Sequence, residues 1–93
     1  MRCLLILLFC LTANANPLYK RKCASCHGAK AQGKKSAKAP KLAGQHSWYI
    51  EHQIKLIRDK KRTSGFSKRM YPHVKKLTDK DIKELSKYLK GLK

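Results

Sequence analysis

The chain has 93 residues, of which 23 are Lys or Arg and five are Asp or Glu, so its formal net charge is +18 at pH 7. A chain this short buries a small fraction of its surface, which excludes a large apolar core and favours a domain held together by a metal, a disulfide or a cofactor. The charge favours acidic proteins, anionic membrane surfaces or nucleic acids as partners, although a general lysine bias with no partner behind it gives the same composition.

The first fifteen residues have the pattern of a secretory signal peptide. Arg2 precedes an apolar run over residues 3–11, and the small residues up to Ala15 fit an A-x-A cleavage site. Because a helix needs about 20 apolar residues to cross a bilayer, this run is too short for a membrane anchor. We therefore expect residues 1–15 to be a cleaved signal and residues 16–93 to be a single domain with no transmembrane span.

The cysteines point to a cofactor. Cys3 and Cys10 would leave with the signal, while Cys23 and Cys26 are three positions apart and are followed directly by His27. This pattern is what covalent attachment of a c-type haem requires, with two thioethers to the haem vinyl groups and the imidazole on the iron. A Cys-x-x-Cys pair alone would leave zinc or a redox-active disulfide open, and the adjacent histidine favours one covalently bound haem c.

A short helix is predicted over residues 17–26. Asn16 is a suitable N-cap, and Pro17 is tolerated at the first helical position. Tyr19 would face inward together with the cysteines. Gly28 would end the helix, because glycine adopts the left-handed conformation at little cost.

Residues 28–44 lack apolar periodicity and predict a loop. Within it, the carbonyl of Pro40 could accept the Nδ1 proton of His27. Such a bond would fix the tautomer of an imidazole that ligates a metal.

The second helix is predicted from Ser47, as its N-cap, to about Lys60. Trp48 and Tyr49 are large apolar rings with a polar tip, which suits them to the edge of a haem. Ordinary core packing explains either ring equally well. These two residues are therefore candidates for the haem environment and no more.

A basic loop is predicted from Lys60 to Met70, followed by Pro72. The thioether of Met70 is a soft ligand suited to the sixth position of a haem iron, and the rigid proline would help to hold the loop. A lone methionine is more often a core filler, but the preceding haem motif favours a ligand here.

The last helix has the clearest signals. Thr78 and Asp81 match a capping box, and apolar residues then recur on one face from Ile82 to Leu92. Lysines occupy the opposite face, whose simplest interpretation is a solvated surface. No strand pattern is present, so the sequence predicts an all-α domain.

Taken together, these motifs resemble those of small class I c-type cytochromes of the bacterial c553, c5 and c4 kind, over essentially the whole chain after the signal. The resemblance implies a cytochrome c-like fold with three to four short helices around one haem, in which the first and last helices cross. The matching residues are 18–19, 23–28, 39–45, 49–50, 53, 58–59, 62–63, 70–72, 77–82, 85 and 88.

The resemblance also implies roles for single residues. His27 would be the proximal ligand, Met70 the distal ligand, and the carbonyl of Pro40 the partner of His27. Arg62 occupies the position of an arginine that can contact a haem propionate. Lys60 departs from the family, which usually has a glycine before that arginine.

The function that the resemblance implies is electron transport in the periplasm. The iron would cycle between ferric and ferrous states with His/Met ligation, and no catalytic residue is required. The partners would be acidic redox proteins or membrane respiratory complexes, bound briefly through a lysine-rich surface, with no nucleic acid partner. We expect a monomer that is not an enzyme.

Two alternatives remain at this level. Cys23 and Cys26 with His46 and His52 could form a zinc-stabilised, basic nucleic-acid-binding module, although the interval between the pairs is longer than in zinc fingers. Alternatively, a haem enzyme or ligand sensor would have its sixth position open or taken by His73. His46, His52 and His73 are otherwise expected to be surface or loop residues.

Overall fold

The computed structural model describes residues 16–92, so the predicted signal over residues 1–15 lies outside the described residues. Within them the chain forms five α-helices and two short 3₁₀ helices, which confirms the all-α prediction. The α-helices exceed the predicted three to four because the first is divided and a short one follows Met70. The helices are α1 (Pro17–Lys22), α2 (Ala24–His27), a first 3₁₀ helix (Lys35–Ala37), α3 (Ser47–Arg58), a second 3₁₀ helix (Gly65–Arg69), α4 (Tyr71–Val74) and α5 (Asp79–Lys90).

The predicted N-terminal helix is interrupted at Cys23. The cap at its start is confirmed, since the backbone N–H of Tyr19 donates to Oδ1 of Asn16 at 2.9 Å. Cys23 has φ −125°, outside the helical range, so α1 ends before it and α2 begins after it. Gly28 ends α2, as predicted, but with φ +95° and ψ 157° it has an extended conformation open to glycine and not the left-handed helical one.

α3 is displaced slightly from its predicted bounds. Ser47 is the first helical residue, and the N-cap is His46, whose side chain makes no capping bond. The helix ends at Arg58, not near Lys60, because Lys60 adopts the left-handed conformation with φ +59°. The glycine that Lys60 replaces would adopt this conformation at lower cost.

The segment between α3 and α4 is more regular than the predicted loop over residues 60–70. Residues Gly65–Arg69 form the second 3₁₀ helix, and the backbone N–H of Met70 donates to the carbonyl of Ser67 at 3.0 Å. Met70 thereby stands between two helices. Its backbone is more constrained than a loop position would be.

α5 begins at the predicted capping box. The hydroxyl of Thr78 accepts from the N–H of Asp81, and the carboxylate of Asp81 accepts from the N–H of Thr78, both at 3.0 Å. Arg58 at the end of α3 is tied to the start of α5, because Nη1 donates to Oδ1 of Asp79 at 2.7 Å and to the carbonyl of Leu77 at 3.2 Å. These bonds fix the relative position of the two longest helices.

The core lies between α3 and α5, with α1 against the far part of α5. The rings of Tyr19 and Tyr88 are tilted with centroids 5.7 Å apart, so the predicted meeting of the first and last helices is present. The buried apolar residues of α3 and α5 are Ile50, Ile54, Ile57, Ile82, Leu85 and Leu89.

Neither strand pairing nor helix length among residues 16–92 indicates a sheet or a membrane-spanning helix. The only β pairing among residues 16–92 is an isolated antiparallel bridge between Lys34 and Ala39. None of the helices in this range is both long and apolar enough to cross a bilayer.

Candidate haem site

A cavity of about 570 Å³ opens in the middle of the helices. Cys23, Cys26 and His27 lie on one side of it, and Met70 lies on its wall as well. The three isoleucines of the buried face of α3 and the leucines Leu85 and Leu89 of α5 line the space between the helices. Binding cavities for organic ligands typically measure ~300–1,000 Å³, so this one has the size of a prosthetic-group site.

His27 is buried, with 4% of its surface exposed, and its orientation is fixed by one hydrogen bond. Its Nδ1 lies 2.9 Å from the carbonyl oxygen of Pro40, which was the predicted partner. A carbonyl can only accept, so Nδ1 carries the proton, and Nε2 of the neutral ring keeps a free lone pair. The side chain is thus prepared to ligate a metal through Nε2.

Gly33 lets the chain that carries Pro40 approach α2. It has φ +87°, and a Cβ at this position would lie 2.8 Å from the backbone nitrogen of Lys41 and 3.0 Å from the carbonyl carbon of Pro40. The N–H of Gly33 also donates to the carbonyl of His27 at 2.7 Å. No other residue type fits here without moving the acceptor of the His27 imidazole.

Tyr19 is hydrogen-bonded to the residue that follows the haem motif. Its hydroxyl donates to the carbonyl of Gly28 at 2.6 Å, and the residue is 2% exposed. Burial, assisted by the nearby Cys23 and Tyr88, raises the pKa of Tyr19 to about 12. The phenol therefore stays protonated and remains a donor at physiological pH.

The two thiols differ in their surroundings. Cys26 is exposed, whereas Cys23 is half-buried. Burial first, and the neighbouring Cys26 second, raise the pKa of the Cys23 thiol to about 11. In the absence of a metal, the Cys23 thiol therefore stays protonated at physiological pH.

The remaining predicted site residues divide into two groups. Arg62 and Tyr49 line the cavity, and Nη1 of Arg62 donates to Oε1 of Gln53, another lining residue, at 2.7 Å. Trp48 is not brought to the cavity: it is 67% exposed, and its ring is perpendicular to that of Tyr49, with the ring centroids 5.9 Å apart. The position of α3 therefore directs Trp48 to solvent and Tyr49 to the cavity.

The three other histidines also differ in whether they line the cavity. His73 lines the cavity, whereas His46 and His52 do not. In the part of the chain that is described, no three His, Cys, Asp or Glu side chains form a group that could hold a metal ion. The four residues of the alternative zinc site are therefore not assembled there.

Sequence reasoning missed two residues of the site. Gly33 was within the predicted loop, where a glycine indicates a possible left-handed residue but not which backbone approaches it. Phe66 lies on the cavity wall and is 49% exposed, with the guanidinium of Arg69 4.7 Å from its ring centroid. The residues around Phe66 are mostly basic, so the sequence did not indicate that an aromatic ring from this segment lines the cavity.

The acidic residues are confined to one part of the molecule. All five lie in α3, directly after it, or in α5, and none occurs over residues 16–50 or 60–78. Most of them already have partners within the protein: Glu51 pairs with Lys55, and Asp59 and Asp79 pair with Arg58. The segments that carry the haem motif and Met70 therefore contain basic charges alone.

The donor set fits a haem. An apolar slot is flanked by two thiols at the required spacing, by an imidazole with its Nε2 free, and by a thioether. A cavity with these walls suits a large flat apolar group that carries a metal ion of borderline softness. Arginine and lysine side chains on the cavity wall complement carboxylates on such a group.

Known proteins with similar sequences support this interpretation. The profile described as "Cytochrome c" matches residues 12–93. The chain is 37% identical to cytochrome c4 of Azotobacter vinelandii over 71 residues, which is 75% of this chain and 34% of the relative. It is 36% identical to cytochrome c-554(547) of Halothiobacillus neapolitanus over 89 residues, covering 87% of this chain and 96% of the relative.

A solved structure extends the similarity to the fold. The crystal structure of reduced recombinant cytochrome c4 from Pseudomonas stutzeri superposes with a TM-score of 0.70 and 37% identity, over 76% of this chain and 38% of that one. The chain spans about a third of the length of the cytochrome c4 relatives that it matches. The cytochrome c-like fold is thus confirmed, and the chain belongs to the cytochrome c family, in which haem c is bound covalently.

Proposed function

We propose that this protein is an electron carrier with one haem c, attached through Cys23 and Cys26 and ligated by His27 and Met70. The observation that carries the proposal is that a single cavity has both thiols, the oriented imidazole and the thioether on its walls. When bound, the haem would supply a one-electron ferric/ferrous couple, and ligation by a thioether together with an imidazole would raise its potential.

The chain's own residues hold and tune this centre. Pro40 orients His27, and the apolar side chains of α3 and α5 exclude water from the ring. Arg62, hydrogen-bonded to Gln53, would pair with a haem carboxylate, and Tyr49, which also lines the cavity, would contact the ring. None of these residues needs to move a proton or attack a substrate, which agrees with a carrier that is not an enzyme.

Docking is proposed to occur at the basic mouth of the cavity. Lys22, Lys38, Arg62 and Arg69 line it, and no acidic residue occurs in the segments that contain them. An acidic redox protein or respiratory complex would be steered to this face and released quickly, because such contacts are small and screened by salt. The signal-like residues 1–15 support export to the periplasm, where the protein would act as a monomer.

Intact mass and optical spectra test the proposal together. The secreted protein is expected to have the mass of the chain from residue 16 plus one haem, and its ferric spectrum is expected to contain the charge-transfer band of a methionine–iron bond. Met70→Ala should lose this band, and His46→Ala, outside the cavity, should keep it. A colourless protein that contains zinc, or a band that persists in Met70→Ala, would contradict the assignment.

A further inference from the structure

His73 is a second imidazole on the wall of the cavity, three residues after Met70. We propose that His73 is a reserve distal ligand, which takes the sixth position of the haem iron when the thioether of Met70 is removed or oxidised. The inference rests on the proposed function, because it requires a haem held by Cys23, Cys26 and His27.

The backbone places the two side chains on one face. Met70 directly precedes α4, and the N–H of His73 donates to the carbonyl of Met70 at 2.9 Å. Residues three apart on a helical turn lie on the same side of it, and both side chains line the cavity. An exchange of ligands therefore involves side chains on or beside a single helical turn, α4, whose Val74 stays buried, and leaves the packing of α3 against α5 in place.

The imidazole of His73 is free to move. The residue is exposed, and within residues 16–92 its ring takes part in no hydrogen bond or ion pair. His27 differs in both respects, since it is buried and bonded to Pro40. His73 gives up no interaction with the protein when it turns to the iron, but it also has no partner that would orient it as a permanent ligand.

Ligand chemistry determines when the exchange occurs. A thioether is soft and favours ferrous iron, whereas an imidazole is a stronger base and competes better for ferric iron. A peroxide transfers one oxygen atom to Sδ of Met70, its O–O bond breaks, and water or an alcohol is released. The sulfoxide is no longer a soft ligand, and His73 then keeps the iron six-coordinate.

Other nitrogen bases on the wall are less suitable. Lys22 and Lys38 come from the segments around Cys23 and Pro40, on the side of the proximal ligand. An ammonium or guanidinium group has no lone pair to offer, whereas a neutral imidazole has one. Within the segment 62–77, His73 is thus the base that can replace Met70.

The test compares three holoprotein variants: Met70→Ala, Met70→Ala with His73→Asn, and Met70→Ala with His52→Asn. His52 is exposed and lies outside the cavity, so the third variant controls for the loss of any histidine. In Met70→Ala, electron paramagnetic resonance and optical spectra of the ferric protein should show a predominantly low-spin, bis-imidazole iron. The His73→Asn change should convert it to high spin, and the His52→Asn change should have no effect.

Titration with free imidazole supplies a second readout. If His73 occupies the iron in about nine of ten molecules, added imidazole should bind about tenfold more weakly to Met70→Ala than to the variant that also lacks His73. A high-spin Met70→Ala protein, or a low-spin signal that depends on protein concentration, would overturn the inference. The methionine–iron band of the wild type tests the proposed function separately, since that band does not depend on His73.

Discussion

On the side of the cavity that carries His27, the imidazole is 4% exposed, its Nδ1 is bonded to Pro40, and Gly33 brings the supporting chain into close contact. On the side that carries Met70, the thioether is half-buried and belongs to a junction between a 3₁₀ helix and a single turn of α-helix. The neighbouring His73 is exposed. The proximal wall, on the side of His27, is braced by the hydrogen bond to Pro40 and the close backbone contact at Gly33. On the distal wall, on the side of Met70, Val74 of α4 is buried in the core, but within residues 16–92 no side-chain hydrogen bond holds Met70 or His73.

With the proposed ligands His27 and Met70, this difference would let one small domain combine a fixed ligand with an exchangeable one. A braced imidazole keeps its tautomer and direction through each redox cycle. A half-buried side chain that no hydrogen bond holds, such as that of Met70, can turn away without unfolding the core, since exposed segments open at lower free energy than the core does. A substitution on the proximal wall should therefore lower the free energy of unfolding by more than the matched substitution on the distal wall.

The largest expected effect is that of Gly33→Ala. The new Cβ would lie within 3.0 Å of the backbone of Ala39, Pro40 and Lys41, at a left-handed residue. We expect a loss of at least ~2 kcal/mol in the free energy of unfolding, since the left-handed conformation alone costs ~1–2 kcal/mol. Urea unfolding of the holoprotein measures it.

Gly65→Ala is the matched control on the distal side. Gly65 also has a positive φ, +58°, but no atom lies within 4 Å of its would-be Cβ. Gly65→Ala should lower the free energy of unfolding only by the cost of the left-handed conformation, about 1 kcal/mol. Equal losses at the two glycines would refute the idea that the proximal wall is the braced one.

Tyr19→Phe should have the next largest effect. It removes the hydroxyl that donates to the carbonyl of Gly28, while that carbonyl keeps a bond from the N–H of Ala31. We expect a loss of about 1 kcal/mol in the free energy of unfolding. Tyr71→Phe on the distal side, whose hydroxyl has no bond within residues 16–92, should change stability by less than about 0.5 kcal/mol.

The ion pairs of Arg58 should make the stability depend on pH only in acid. Hydrogen bonds from Arg58 hold the pKa of Asp59 and of Asp79 below the ordinary value of 3.8. Because the folded pKa is depressed, this stabilisation is fully present above pH 3.8 and is lost as the pH falls through the lower folded values. Arg58→Gln should therefore flatten the acid dependence of the urea midpoint. Identical acid profiles for the variant and the wild type would contradict this linkage.

The smallest effect is expected at Lys60. Glycine would relieve the strain of φ +59°, worth about 1 kcal/mol, but would lose the contact of the Lys60 ammonium with the Tyr71 ring, 4.9 Å from its centroid and worth ~0.5 kcal/mol. We expect Lys60→Gly to raise the free energy of unfolding by about 0.5 kcal/mol. Lys60→Ala, which keeps the strain and loses the contact, should lower it by a similar amount. If both variants unfold at the same urea concentration, the left-handed strain at Lys60 is negligible.

The sequence by itself determined the features that depend on neighbouring residues. The all-α class, the caps at Asn16 and Thr78, and the spacing of Cys23, Cys26 and His27 are short-range patterns. Local sterics and hydrogen bonds fix such patterns wherever the segment lies. The partner of the His27 imidazole was predicted as well, because the residues around Pro40 indicated a turn leading to the cofactor and the resemblance assigned its carbonyl to His27.

Only the tertiary structure decided which side chains share the cavity. The break at Cys23, the close approach at Gly33, the outward turn of Trp48 and the inward position of His73 each depend on how separate segments pack. The sequence has no signal for such contacts, since a loop glycine or a surface histidine looks the same whichever backbone lies opposite it. The motif thus indicated a haem, and packing determined that the side chain of His27 is hydrogen-bonded and buried while that of His73 is exposed, the difference on which the proposed ligand exchange rests.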